Sequence, residues 1–87
     1  MKKTEGYVIR RLEDEYVILP TGKRAEEINE VISLSETAAF IYIHAEEVSS
    51  IPELARLVAG EYGMEAAEVL EDVKTVVETL QKKGVLS

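Results

Sequence analysis

Ser50-Ile51-Pro52-Glu53-Leu54-Ala55-Arg56-Leu57-Val58-Ala59-Gly60-Glu61-Tyr62-Gly63 reads as one helix with both ends marked. Ser50 and Glu53 have capping-box spacing, and Pro52 falls inside the first turn, where a missing N–H leaves no intrahelical bond unmade. Ile51, Leu54, Ala55 and Val58 form the apolar face. Gly63 stands where a left-handed C-terminal cap is needed, and Met64-Glu65 leaves room only for a tight connection. Beyond it, Val69, Val73, Val76, Val77 and Leu80 describe one stripe of a long final helix. Lys82 and Lys83 suit the negative end of that helix and Gly84 stops it, leaving Val85 and Leu86 to pack back as a tail. The unit is helix, tight turn, helix.

Upstream, Ser35 is a good N-cap and Glu36 favours the positive end of the helix that follows. Leu34, Ala38, Ile41, Tyr42 and Ala45 fall on one face of it and are expected to be buried. Phe40 and Ile43 fall on the other side, which is either an exposed interaction patch or a surface covered by a loop or hairpin. Earlier still, Tyr7–Leu12 and Tyr16–Leu19 are rich in aromatic and β-branched residues and flank the polar Glu13-Asp14-Glu15, which predicts a hairpin. Pro20-Thr21-Gly22 breaks its second strand. Ala25 to Ile28 has the makings of a helical turn, yet residues 28–34 alternate, with Ile28, Ile32 and Leu34 on one face. A short third strand over Glu30–Leu34 follows from that alternation. The expected fold is α+β: a three-stranded antiparallel sheet followed by three helices, a winged helix-turn-helix.

Composition narrows the function. With 87 residues, 46% of them hydrophobic and 31% charged, the chain is expected to form one domain over residues 1–87. It has no cysteine, so disulfides, thiolate metal sites and cysteine nucleophiles are excluded, and a reducing, cytoplasmic setting fits. Met1-Lys2-Lys3 is followed by Thr4-Glu5-Gly6 where an export signal needs an apolar stretch. The longest apolar run, Ala38–Ile43, is six residues, against roughly 20 for a membrane span. A formal charge of −7 disfavours nucleic acid and anionic membranes, so the expected partner is a protein or peptide.

Sites for chemistry are missing. His44 is the lone histidine, so no His pair for a metal and no base beside a nucleophile can be assembled, and its expected role is structural. The five glycines form no phosphate-binding pattern. The many carboxylates lie mainly on polar helix faces. Neither catalytic residues nor metal ligands nor a cofactor are expected. Arg10-Arg11 and Lys23-Arg24 serve either as docking points for a carboxylate or as solubilising edge charges. DNA binding would place the start of the last helix in the major groove. From Glu65 to Lys83, however, five acids (Glu65, Glu68, Glu71, Asp72, Glu78) face three bases (Lys74, Lys82, Lys83), and four of the acids crowd that end.

The run Leu34-Ser35-Glu36-Thr37-Ala38-Ala39-Phe40-Ile41-Tyr42, then Glu61-Tyr62-Gly63, then Leu80-Gln81-Lys82-Lys83-Gly84-Val85-Leu86 resembles the PqqD-like family over nearly the whole chain. That family shows a strand ending in Leu-Asn and a Thr-Gly/Ala-Ala helix start with an aromatic. An acidic helix then ends near Tyr-Gly or Tyr-Asp, and a last helix ends in Gly-Leu. Ser35 stands where Asn is favoured and Tyr42 where Trp is common, both keeping the physical role; His44 departs from an apolar position. The resemblance implies a RiPP recognition element, a non-catalytic protein that binds the leader peptide of a ribosomally made precursor. It also implies a partner enzyme, often a radical SAM maturase, and strand addition of the leader to the third strand, with the last helix as the groove's other wall.

The residues expected to meet the peptide are Glu30, Val31, Ile32, Ser33 and Leu34, a proline-free strand able to offer backbone groups. From the last helix, Leu70, Val73, Lys74 and Val77 are expected beside them, through an apolar arc reaching Leu70 and the stem of Lys74; the other reading makes Leu70 and Val77 simply core. The alternative function is a winged-helix module for protein contact or homodimerisation, with a detached enzyme subdomain as a third option.

Overall fold

Strand β1 (Tyr7–Leu12) and strand β2 (Glu15–Pro20) form an antiparallel hairpin in which Tyr7 pairs with Pro20, Ile9 with Ile18 and Leu12 with Glu15. The computed structural model describes residues 1–27 and 30–87. The connection is only Glu13-Asp14, because Glu15 joins the ladder. So tight a turn demands positive φ, and Glu13 adopts it at 57° without being glycine. Strand β3 (Ile32–Leu34) pairs antiparallel with β2, setting Ile32 opposite Ile18 and Leu34 opposite Tyr16, in the sheet order β1-β2-β3. The row Ile9, Ile18, Ile32 points toward the helices, and Ile18 and Ile32 enter the core.

Two expectations change here. A five-residue helix, α1 (Lys23–Glu27), stands between β2 and β3 in addition to the three helices expected, where the sequence offered a helical turn over Ala25 to Ile28. Ile28 lies outside the described residues. The third strand is also shorter than expected, since Glu30 and Val31 precede it. Continuing the register would set Val31 opposite Leu19 and Glu30 opposite Pro20, which has no N–H to give a ladder.

The start of α2 and both ends of α3 fall where the sequence marks them. Helix α2 (Glu36–His44) opens on Ser35, whose Oγ accepts from the Ala38 N–H at 3.1 Å. Ala38, Ala39, Ile41 and Tyr42 are buried, Phe40 is half-buried against the core, and Ile43 is exposed. Helix α3 (Ile51–Tyr62) opens on Ser50, which accepts from the Glu53 N–H at 3.3 Å, and closes on Gly63 at φ 65°. Helix α4 (Ala66–Lys82) opens with the Glu68 carboxylate accepting from the Glu65 N–H at 3.2 Å. Val69, Val73, Val77 and Leu80 from α4 meet Leu54, Ala55, Val58 and Ala59 from α3 in the core, with α2 between this pair and the sheet. Val85 and Leu86 are buried as expected, and residues 2–4 pair with 85–87 through three backbone hydrogen bonds, including Lys2 N–H to Ser87 O at 2.9 Å.

Several charges are used internally. Arg24 donates Nε to the Glu5 carbonyl at 3.1 Å and covers the Tyr7 ring. Gly6, at φ 89°, gives it room: a Cβ there would stand 2.8 Å from Arg24 Nε. Among the described residues no helix is long and apolar enough to cross a membrane.

Candidate functional site

Strand β3 pairs with β2 alone, so its outer edge is open among the described residues. In an antiparallel ladder every second residue of an edge strand turns its N–H and C=O away from its neighbour. Facing that edge is an open cleft of about 200 Å³, walled by Ser33, Leu34, Ser35 and Ala38 on one side and Thr75, Val76, Thr79 and Leu80 on the other. Leu34, Ala38, Val76 and Leu80 make it mainly apolar, with hydroxyls at the margins. The Thr79 hydroxyl is already occupied, donating to the Thr75 carbonyl at 2.9 Å. Such a cleft suits a side chain projecting from a segment laid along the strand edge.

Of the residues expected at the site, Ser33 and Leu34 line the cleft directly. Ile32 belongs to β3 but turns its side chain into the core. Val31, 52% exposed, and Glu30 lie in the segment before the strand. Glu30 reaches across to α4, with Oε1 3.3 Å from the Lys83 Nζ.

On α4 the four expected residues divide between the core and the surface. Val73 and Val77 are 1% exposed and packed in the core, leaving no surface for a ligand. Leu70, 36% exposed, and Lys74, exposed, do not line the cleft. With 3.6 residues per turn they fall roughly 150° and 170° around the helix from the centre of the cleft-lining group. The apolar stripe has two flanks; the expected site took one and the cleft lies on the other. Thr75, Val76, Thr79 and Leu80, together with Ser35 and Ala38, line the cleft without having been expected there. Their signal in the sequence is faint: Thr75 and Thr79 are one turn apart beside Val76, a small, half-polar margin to the core stripe.

Away from the cleft, His44 stacks at 4.3 Å on Phe40, and its Nδ1 lies 2.7 Å from Glu47 Oε2. Phe40 also meets Tyr62 edge-on at 5.9 Å. Burial raises the Tyr62 hydroxyl's pKa, with the Glu36 carboxylate adding to it, and burial does the same to Tyr42 with help from Glu46. These contacts give His44 a packing role on the α2 surface. Among the described residues, no group of three or more His, Asp or Glu side chains is disposed to hold a metal ion.

A three-stranded sheet backed by a helix-turn-helix, with one strand edge open onto an apolar cleft, defines a winged-helix-type domain of the α+β class. The chain belongs to the PqqD family: residues 6–86 match the model described as Coenzyme PQQ synthesis protein D (PqqD). That family consists of non-catalytic peptide-binding chaperones. Among solved structures the chain is similar to "TbiB1 in Complex with the TbiA(beta) Leader Peptide". The TM-score is 0.74 at 22% identity, covering 100% of this chain and 95% of that one, a likeness of fold. No curated protein sequence gives a significant match.

Proposed function

We propose that this protein is an adaptor that binds the leader segment of a ribosomally synthesised precursor peptide and presents it to a separate modifying enzyme. Residues 1–87 act as one peptide-binding domain. The leader adds as a strand to the outer edge of β3, with one apolar side chain in the cleft against Leu34, Ala38, Val76 and Leu80. The observation that carries this reading is the unpaired edge of β3 opening directly onto that cleft. Family membership supports it, as does the similar fold of a protein whose solved structure includes a leader peptide. Backbone bonding along the edge supplies affinity for an extended segment, and the cleft supplies selectivity. A radical SAM maturase is the proposed partner enzyme, and the reducing cytoplasm the proposed setting.

NMR titration of the labelled protein with leader peptides encoded beside its gene tests this. The expected result is amide shifts concentrated in residues 32–38 and 75–80. Shifts confined to another surface, or none with any candidate leader in a folded sample, would overturn it and favour a protein-contact or dimerisation module.

A further inference from the structure

Groups of opposite charge stand along α4 just beyond either end of the stretch that lines the cleft. At one, Lys83 follows the last turn of α4 and its ammonium is held by Glu30, 53 residues away in sequence, with both side chains partly exposed. At the other, Asp72 and Glu68 lie one and two turns before Thr75, Val76 and Thr79 on the same stripe of α4. Acids at the start of a helix and lysines at its end also complement the helix dipole, which explains their presence on α4. The dipole does not explain Glu30, which belongs to the lead-in to β3 and, without lining the cleft itself, ties that lead-in to the residue just past α4.

Resting on the strand-addition reading, we propose that the cleft reads the charge polarity of the segment it binds, with Lys83 as a specificity-determining residue. An acidic side chain on the segment takes the Lys83 ammonium over from Glu30, and a basic side chain at the opposite end meets Asp72 and Glu68. The exchange is feasible because an exposed ion pair is held weakly, so an incoming carboxylate need only match Glu30. A basic residue at the Lys83 end would instead place two like charges together with only Glu30 to separate them. The bound class is therefore an extended segment with an apolar centre, an acidic residue on the Lys83 side and a basic one on the Asp72 side.

A displayed library of random 12-residue peptides, selected in parallel on the wild-type protein, Lys83→Met and Lys83→Glu, tests this. Thermal melts confirm that each variant is folded, and shifts of Ser33, Leu34, Thr75 and Thr79 confirm where the enriched peptides bind. The wild type should enrich acidic over basic residues about fivefold at the position next to residue 83, the scale of one exposed charge pair. Lys83→Met should erase that preference and Lys83→Glu should reverse it. Cleft-binding peptides with the same charge preference on all three proteins would overturn the proposal while leaving strand addition intact. Peptides that bind elsewhere, or none that bind, would overturn both.

Discussion

Thr79→Arg separates cleft occupancy from fold stability. Thr79 is an exposed side chain on the α4 wall, and its hydroxyl bonds only the Thr75 carbonyl of its own helix. Replacing it removes no tertiary hydrogen bond among the described residues. Arginine is the better helix former by a few tenths of a kcal/mol and suits the C-terminal half of a helix, so stability should hold or rise slightly. Its guanidinium, however, stands over a cleft of about 200 Å³ where an apolar side chain of the leader would be buried. Losing the burial of one Val- or Leu-sized side chain forfeits about 1.5–3 kcal/mol, or about 10- to 150-fold in Kd. Fluorescence anisotropy with a labelled leader peptide measures this loss, and a circular dichroism melt measures stability. Thr79→Val, close in shape and more apolar, should bind at least as well as wild type. Unchanged affinity in a folded Thr79→Arg protein would refute the assignment of this cleft as the leader site.

Gly6→Ala should cost about 1–3 kcal/mol, because φ is 89° and the new Cβ would meet Arg24 Nε at 2.8 Å; the melting temperature checks it. Glu13→Gly should raise stability by about 0.5–1 kcal/mol, as release of the left-handed strain at φ 57° outweighs the entropy of glycine; the urea midpoint is the readout. The Ser49 hydroxyl, donating at 2.8 Å, is the main cause of a Glu53 carboxyl pKa below its ordinary 4.5. A depressed carboxyl contributes stability that is fully present above that ordinary value and lost as pH falls through the lower folded one. Glu53→Gln should therefore flatten the acid side of the stability profile below pH 4.5, followed by urea titrations across pH.

The start of α2, both ends of α3 and the end of α4 were legible because their signals are local. Ser35, Ser50 and Gly63 act on backbone groups within a turn of themselves, so three to five residues of sequence contain the whole interaction. The stripe of α4 was readable for the same reason, since Val69, Val73, Val77 and Leu80 repeat at helical spacing and all four are buried. Periodicity names a face, though, and leaves open which flank of that face meets another element.

That choice was made by packing. The docking of α4 beside β3 put Thr75, Val76 and Thr79 at the cleft and turned Leu70 and Lys74 away from it, and within α4 itself only the spacing of Thr75 and Thr79 beside Val76 sets the two flanks apart. The length of β3 was decided likewise by its neighbour, because Pro20 falls across from Glu30 and cannot extend the ladder. Glu30 and Lys83 meet only once β3 and the end of α4 lie side by side. Helix caps and apolar stripes are interactions between residues close in the chain, so the amino-acid sequence alone determines them. The cleft and its charged mouth join residues some forty to fifty positions apart, whose meeting exists only in the folded chain.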